Sequence, residues 1–509
     1  MTQPISASRP ARDFHAGGHA ASGMTRLVAL LPIHAVVWTI AAWLSRGNLD
    51  TQGDMVENYV WGIEWQAGYA KHPPLFAWIT AAWFRVFPHT DVAYFALSAL
   101  NAMVGLLGIA ALAGRFVPRR VAVVAGLAMA VTPLYSGLAI KFNANAVLLS
   151  VWPWAAYCFV RYMQTGGWRS ALALGALAAA AVLGKYFSIV LLVAFALAAL
   201  VRPAWRARLF HWRSALVVVA GLAVLLPHLH WLVTNHFPTF GYAEQRTGGT
   251  LLSAVGRFGI YTLAQIGYLL PAFCFVILIV GEGRLRAAKR MASSYVRPSL
   301  HPDLWWLAFA PLIVVGAIAV AARTQMASVW GMAEWFALAP LWLAVLVRER
   351  VPVRPERAAW VLVVYWAVVL AVNATIGYSG ARRNTDDAAE PRAELAAAAG
   401  ALWQERTGEP LRIVAGSTQS AQSIAFYGGD GARFWDYGEP RMTPWLGSGD
   451  FARDGVLFAC RGDDATCATH AAAITGAKPV RVTVSKHAWG MTLPARAYDL
   501  FVKAPDNGG

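Results

Sequence analysis

The stretch from residue 50 to residue 75 concentrates polar side chains suited to chemistry within a very apolar sequence. Asp54 and Glu57 are three residues apart, so on a helix they share one face. Carboxylates placed in this way can take a proton from a hydroxyl group or hold a divalent cation such as Mg²⁺ or Mn²⁺. The ammonium group of Lys71 can contact a phosphate, whereas His72 either contacts a substrate or only packs. A loop of solvated acids is the alternative interpretation.

Lysine residues also interrupt apolar stretches farther along the chain. Lys141 begins the sequence Lys-Phe-Asn-Ala-Asn, which ends at Asn145, and Lys185 interrupts a later apolar stretch. Ionisable groups at membrane depth are costly, so each lysine is a functional candidate, although snorkelling to the interface explains Lys185 equally well. Residues 227–246 contain three histidines and Arg246, a group that can contact a phosphate or a sugar. The histidines lack the firm spacing of a metal site.

The composition indicates which elements must position these residues. Hydrophobic residues make up 58% of the 509 residues and charged residues only 14%, which excludes an ordinary soluble protein. Apolar stretches that can cross a hydrocarbon core of about 30 Å must be helices, because lipid offers the backbone no hydrogen-bond partner. We therefore predict a polytopic α-helical membrane protein with about eleven transmembrane helices. The predicted spans are residues 26–44, 92–113, 121–140, 145–161, 169–184, 186–201, 214–233, 257–280, 303–322, 330–347 and 358–377.

The distribution of charge predicts the orientation of the chain. The formal net charge is +16, but the basic residues lie mainly in short loops between apolar spans, so nucleic acid is not a predicted partner. The loops on the N-terminal side hold most of them, which places the N-terminus in the cytoplasm and the C-terminal tail outside. Residues 46–90, here called the first outer loop, then face the same side as the C-terminal tail.

The two ends of the chain differ from the membrane region. Residues 1–25 are rich in Ala, Gly, Ser and His without periodicity and are predicted to be a disordered cytoplasmic tail. Residues 385–509, here called the C-terminal domain, are predicted to be a small soluble α/β domain. Cys460 and Cys467 lie close together in it and form either a disulfide or two free thiols. The domain is predicted to contain a helix over 391–406, strands over 411–415, 455–460, 480–485 and 498–503, and a short helix or strand over 420–427.

Two sequence motifs in the first outer loop resemble those of a known family. They are Asp-x-x-Glu-Asn-Tyr-Val-Trp at residues 54–61 and Gly-Tyr-x-Lys-His-Pro-Pro-Leu at residues 68–75. With them, the chain resembles the GT-C membrane glycosyltransferases over residues 26–380, in particular glycosyltransferase family 39, the protein-mannosyltransferase-like group. That group includes the lipid A aminoarabinose transferases and the rhizobial galacturonosyltransferases of the lipopolysaccharide core.

The resemblance implies a function. Such enzymes transfer a sugar, with inversion, from a polyprenyl-phosphate donor to a glycolipid or protein acceptor on the periplasmic face of the bacterial inner membrane. By position, Asp54 is the catalytic carboxylate, Lys71 a donor-phosphate contact, and Glu57 a supporting acid or metal contact. Many relatives have a second Asp where this chain has Asn145, and an amide cannot take a proton, so a Mg²⁺ or Mn²⁺ requirement stays open. The substrate-binding candidates are Glu57, Tyr59, Lys71, His72, Lys141, Asn145, Lys185 and Arg246.

Two other functions compete with this prediction. A transporter or flippase of lipid-linked sugars also needs a polar, phosphate-binding site among many spans, but such proteins usually show internal repeats and interrupted helices. No convincing repeat is present in this sequence. A structural or assembly protein that uses its C-terminal domain for interactions would leave the acidic first outer loop unexplained.

Overall fold

The structure is a computed structural model that describes residues 14–239, 248, 250–324, 326–429 and 431–506. Within these ranges, the side chains of residues 14–23, 386 and 387 are not described. The chain forms a bundle of apolar helices followed by a small domain built on a mixed sheet.

The membrane region is built from α-helices joined by turns and loops. Within the described residues, six of these helices are long and apolar enough to cross a membrane, and a bent pair makes up to seven. The helices are α1 (Phe14–Ser45), α2 (Asp54–Gly62), α3 (Leu75–Phe84), α4 (Asp91–Ala113), α5 (Arg119–Ala130), α6 (Leu148–Thr165), α7 (Trp168–Gly184), α8 (Ile189–Val201), α9 (Pro203–Leu209), α10 (Ser214–Thr234), α11 (Leu251–Ile279), α12 (Arg284–Ser294), α13 (Pro302–Ala321), α14 (Leu338–Arg348) and α15 (Arg357–Arg382).

Several of the eleven predicted spans differ from these helices in length. The predicted span 121–140 is helical only as far as Ala130, because Pro133 follows and restricts the backbone of the residue before it. The predicted span 330–347 becomes α-helical only at Leu338, after a 3₁₀ turn at Ser328–Gly331. Non-helical backbone at membrane depth is tolerated where protein buries it or where it lines a cavity, so apolar composition alone overestimated these helices.

Helix α1 is longer than the predicted first span. It begins at Phe14, whereas the predicted span begins at Arg26. The structure therefore differs from the predicted disordered tail over residues 14–25, while residues 1–13 lie outside the described residues. Extending an existing helix needs no new nucleation, and the alanines of this segment favour helix.

Glycines allow the membrane helices to approach closely. A side chain at Gly105 of α4 would lie 2.0 Å from the carbonyl oxygen of Leu149 on α6. A side chain at Gly175 of α7 would lie 2.2 Å from the carbonyl oxygen of Val217 on α10. Small residues at such crossings are typical of membrane bundles, where van der Waals packing holds the helices together.

The C-terminal domain is the predicted α/β unit. Its sheet has the order β2-β1-β3-β7-β4; β1 runs parallel to β2 and β3, and β7 runs antiparallel to β3 and β4. The segment predicted as helix or strand is helical, and Cys460 and Cys467 form a buried disulfide. The elements are α16 (Asp386–Ala389), α17 (Arg392–Thr407), β1 (Ile413–Gly416), α18 (Thr418–Tyr427), β2 (Arg433–Trp435), α19 (Ser448–Asp454), β3 (Val456–Arg461), α20 (Ala465–Thr475), β4 (Val480–Val484), β5 (His487–Ala488), β6 (Met491–Thr492) and β7 (Arg496–Lys503).

The C-terminal domain packs against the first outer loop. The side chain of Asn48 donates a hydrogen bond of 2.9 Å to the carbonyl oxygen of Glu390, and Lys486 donates one of 2.8 Å to the side chain of Asn48. Tyr427 donates a hydrogen bond to Asp91 at the start of α4. These contacts join the two parts of the chain next to helix α2.

Candidate active site

The start of helix α2 is fixed by a buried carboxylate. Asp50 accepts hydrogen bonds from the backbone N–H groups of Asp54, at 3.1 Å, and Met55, at 2.9 Å. The first N–H groups of a helix have no partner within it, so a side-chain acceptor stabilises this end. Asp50 thereby places Asp54 in the first turn of α2.

The carboxylate of Asp54 is held by residues that follow α5. The Nζ atom of Lys141 lies 2.8 Å from Oδ2 of Asp54 and 3.0 Å from Oδ2 of Asp50. The side-chain amide of Asn143 donates a hydrogen bond of 3.1 Å to the same Oδ2 atom of Asp54. Lys141 also donates a hydrogen bond of 2.6 Å to Gln52. One lysine thus connects two carboxylates of the first outer loop.

This pairing controls the ionisation of Asp54 and Lys141. Burial alone would raise the pKa of the Asp54 carboxyl, but Lys141 and Asn143 outweigh it, so the pKa lies below its ordinary value. Burial alone would lower the pKa of Lys141, but Asp50 and Asp54 outweigh it, so that pKa lies above its ordinary value. At neutral pH both groups are therefore charged.

A second ion pair lies farther along α2. The carboxylate of Glu57 accepts a hydrogen bond of 2.7 Å from Nζ of Lys71, and this ammonium lies 5.6 Å from the ring centroid of Trp61. Burial raises the pKa of Glu57, and the opposing effect of Lys71 does not cancel it. The side chain of Glu57 thus depends on Lys71 for its charged form.

Two asparagines connect Lys185 to Asp54. Lys185 donates a hydrogen bond of 2.5 Å to the side-chain oxygen of Asn145, and its ammonium lies 4.8 Å from the ring centroid of Trp330. The backbone N–H of Asn145 donates a hydrogen bond of 2.9 Å to the side-chain oxygen of Asn143. Because Asn143 donates to Asp54, one chain of polar contacts runs from α7 to α2.

Helix α10 supports the second motif of the first outer loop. The Nδ1 atom of His228 lies 2.7 Å from the carbonyl oxygen of Ala67, and its Nε2 atom lies 2.7 Å from the hydroxyl of Tyr186. A carbonyl only accepts, so Nδ1 carries the proton, and in the neutral ring Nε2 accepts from Tyr186. A side chain at Gly68 would lie 2.3 Å from the ring of Trp231. Only glycine fits against this tryptophan.

Comparison with known proteins identifies the fold that carries this arrangement. Residues 71–231 match the sequence family described as dolichyl-phosphate-mannose-protein mannosyltransferase. A search of curated proteins found no significant match. The crystal structure of ArnT from Cupriavidus metallidurans bound to undecaprenyl phosphate aligns with a TM-score of 0.52 at 17% identity, over 93% of this chain and 98% of ArnT. The chain has the GT-C glycosyltransferase fold. Apo ArnT aligns with the same TM-score at 18% identity, over 94% of this chain and 98% of ArnT.

The predicted GT-C resemblance and the membrane fold class are thereby confirmed. Within this fold, Lys141, Asn145 and Lys185 belong to one chain of polar contacts that reaches Asp54. Glu57 and Lys71 form the neighbouring pair.

The remaining predicted residues are placed differently. His72 lies close enough to Asp54 for its charge to favour the carboxylate, and its ring meets Phe76 edge-on at 5.8 Å. Tyr59 is buried, with its hydroxyl 3.0 Å from His89 and its ring edge-on to Phe426 of the C-terminal domain. That position indicates packing between the two parts of the chain. Arg246 lies outside the described residues.

Each carboxylate of the predicted metal pair, Asp54 and Glu57, forms a salt bridge with a lysine. Asp54 contacts Lys141 and Glu57 contacts Lys71, so each carboxylate already faces a positive charge. Within the described part of the chain, no cluster of three or more His, Cys, Asp or Glu side chains could hold a metal ion. These residues fit a divalent cation poorly, and no catalytic step below passes through one.

Sequence reasoning missed two residues of the site. Asp50 and Asn143 were visible in the sequence beside Asp54 and Lys141, but nothing in their spacing shows that they meet. Asp50 acts through the start of α2, and Asn143 through a contact with a residue 89 positions away. A search for polar residues next to each candidate lysine would have included Asn143.

Proposed function

We propose that this protein transfers a sugar, with inversion, from a polyprenyl-phosphate donor to a hydroxyl group of a glycolipid or protein on the periplasmic face of the inner membrane. The observation on which the proposal rests is the position of the Asp54 carboxylate at the start of α2. This carboxylate is 41% exposed and is held by Lys141 and Asn143. The family match and the GT-C fold support the proposal, and ArnT was crystallised with undecaprenyl phosphate.

The Asp54 carboxylate acts as the general base. Lys141 and Asn143 both contact Oδ2, and we assign Oδ1 to the acceptor proton. The acceptor oxygen forms a bond to the anomeric carbon while the bond from that carbon to the phosphate oxygen breaks. The acceptor proton passes to Asp54, and polyprenyl phosphate leaves with the bonding electron pair. General base catalysis by a positioned carboxylate contributes typically about 10²–10⁴-fold.

Lysine side chains offset the charge that develops on the leaving phosphate. Lys71 contacts the donor phosphate, and its pairing with Glu57 holds the ammonium group in place before the donor binds. Lys185 is the second cation, oriented by Asn145 and by the ring of Trp330. Fixed positive charges aimed at a departing oxyanion stabilise the transition state more than the ground state.

The shape of the donor suits the border between the helices and the first outer loop. A polyprenyl tail stays in the hydrocarbon region, while its phosphate and sugar reach the polar surface. Asp54 and Lys71 lie in the first outer loop, and Lys185 lies at the C-terminal end of α7. The charge distribution of the loops predicts that this end faces the periplasm.

One observation favours the alternative of a transporter for lipid-linked sugars. The interrupted segments around Pro133 and Ser328 resemble the broken helices that transporters use to bind substrates. A transporter would bind the donor without breaking the bond between sugar and phosphate, so bond cleavage separates the two functions.

The decisive experiment is a transfer assay in nanodiscs with radiolabelled polyprenyl-phosphate sugars and a crude glycolipid acceptor. We expect Asp54→Asn to reduce transfer at least about 100-fold while donor binding persists. Asp303→Asn is the matched control, because Asp303 pairs with Arg202 and is not part of the site. EDTA should leave transfer unchanged. Near-normal transfer by Asp54→Asn would contradict the assignment, and donor binding without sugar release by the wild type would favour the transporter.

A further inference from the structure

Helix α12 lies at the end of the bundle opposite to the candidate active site. It connects the end of α11 to the start of α13, and both of these helices are long and apolar enough to span the membrane. Arg286 on α12 contacts Glu349, which directly follows α14. Helix α14 follows the segment that carries Trp330, which contacts Lys185. The 11 residues of α14 extend about 16 Å away from this segment.

One face of α12 borders a cavity that the proposed function does not use. The cavity has a volume of about 470 Å³ and is here called the basic cavity. Its polar lining residues on α12 recur at helical spacing, so they form one stripe along the helix, and Arg297 lies three residues beyond the end of the helix. The lining residues are Leu285, Arg286, Lys289, Arg290, Ser293 and Arg297.

The basic cavity has an excess of positive charge. One carboxylate, Glu349, contacts Arg286 at 3.7 Å and Arg290 at 3.4 Å. Four cationic side chains line the cavity, so this one carboxylate leaves a surplus of three positive charges. The hydroxyl group of Ser293 donates its hydrogen bond, of 2.9 Å, to the backbone carbonyl oxygen of Arg290, so the donors that face the basic cavity belong to the cationic side chains. Such a set of donors suits the oxygens of a phosphate group.

The rotation of α12 is fixed by packing. Ala287, Met291 and Ser294 are buried against the bundle, which directs the neighbouring stripe of cations into the basic cavity. Leu285 is 70% exposed and Val296 is 79% exposed. Exposed apolar side chains beside cations are typical of a helix that lies in the membrane interface, where lipid covers them.

We propose that the basic cavity binds the phosphate headgroup of an anionic phospholipid from the surrounding membrane. The surplus of positive charge selects an anionic over a zwitterionic headgroup, and the exposed apolar residues lie where the acyl chains of such a lipid begin. The site is separate from the donor site, because α14 runs between the two ends of the bundle.

The test is native mass spectrometry of the full-length protein titrated with phosphatidylglycerol or phosphatidylcholine. We expect Lys289→Gln/Arg297→Gln to weaken phosphatidylglycerol binding at least fivefold, while Arg286 and Arg290 keep their contacts with Glu349. Arg119→Gln/Arg284→Gln removes the same charge without changing a lining residue, and should bind as the wild type does.

Three outcomes would overturn the proposal. They are equal binding of the two lipids by the wild type, equal loss in the two double variants, and displacement of phosphatidylglycerol by millimolar inorganic phosphate, which would identify a site for free phosphate. The single variant Lys289→Gln, with an expected twofold or larger loss, gives the same test if the double variant does not fold.

Discussion

Glu64 and Arg433 join the first outer loop to the C-terminal domain through two hydrogen bonds of 2.7 Å each, although 369 positions separate them in the sequence. The side chain of Glu64 is only 7% exposed, and that of Arg433 is 33% exposed. The hydrogen bonds to Glu64 raise the pKa of Arg433 above its ordinary value. The two-pronged geometry fixes both position and orientation, so the C-terminal domain is a structural part of the region that carries Asp54.

Replacing Arg433 should loosen this contact. Arg433→Ala leaves the nearly buried carboxylate of Glu64 without its partner. We expect the free energy of unfolding to fall by about 1.5 kcal/mol. This is the lower end of the range for hydrogen bonds to charged groups, because Arg433 is partly exposed. Thermal unfolding followed by tryptophan fluorescence measures the change. Arg453→Ala, which removes an exposed arginine of the same domain, should leave the melting temperature unchanged. Equal melting temperatures for both variants would contradict this role of Arg433.

Asp50 should act by positioning Asp54. Asp50→Asn keeps an acceptor for the start of α2 but removes the charge that faces Lys141, so we expect kcat to fall about tenfold with little change in stability. Asp50→Ala also removes the acceptor and should destabilise the protein by about 1 kcal/mol. Transfer kinetics and melting temperatures of the two variants separate the effects. If both variants retained wild-type kcat, Asp50 would have no part in positioning.

The pairing of Asp54 with Lys141 should set the acid side of the pH profile of transfer. Because the pKa of Asp54 is lowered, its pairing contributes stability above the unfolded value of about 3.9 and loses it only as the pH falls through the lower folded value. We therefore expect transfer by the wild type to lose no activity through Asp54 between about pH 5 and pH 8. In Lys141→Gln the effect of burial on the pKa of Asp54 is no longer outweighed by the lysine. The acid limb of the pH profile of transfer should therefore move upward by about 1–3 pH units.

The profile of kcat/KM against pH measures this shift, with each variant scaled to its own maximum. Lys289→Gln is the matched control, because it removes a lysine at the opposite end of the bundle and should leave the acid limb in place. An unchanged acid limb in Lys141→Gln would exclude Lys141 as the group that holds Asp54 ionised.

Gly68 should tolerate no side chain while Trp231 is present. In Gly68→Ala the new methyl group would meet the tryptophan ring at 2.3 Å, which forces the turn before Lys71 to shift. We expect KM for the donor to rise at least about tenfold, a loss of roughly 1.4 kcal/mol in binding. Trp231→Leu makes room, so the double variant should recover part of the loss in steady-state kinetics. A double variant no better than Gly68→Ala would show that the clash is not the cause.

The polar cluster of the first outer loop was predictable because its residues are neighbours in the sequence. Asp54, Glu57 and Lys71 stand within one polar stretch of an apolar chain, and the structure places all three on or beside α2. The pairing of Asp54 with Lys141 was not predictable, because 87 positions separate the two residues. Periodicity reports the face of a helix and contains no information about which distant loop meets it.

The lengths of the membrane helices were predicted less well than their positions. Apolar composition marks what is buried in lipid or protein, but it does not separate a continuous helix from a helix followed by buried turns. The predicted span 121–140 contains such turns after Ala130. Tyr59 shows the same limit for side chains, since an aromatic residue in a functional motif can face the protein interior instead of a substrate.

The distance in sequence between Glu64 and Arg433 also has a consequence for biosynthesis. At a synthesis rate of about 5–20 residues per second, roughly 20–70 s pass between the two residues. The strand β7, in the interior of the sheet between β3 and β4, is made later still. During this interval the carboxylate of Glu64 lacks the arginine partner that it has in the folded chain. The structure is therefore completed from both ends of the chain, and the first outer loop, although made early, is among the last segments to reach its final environment.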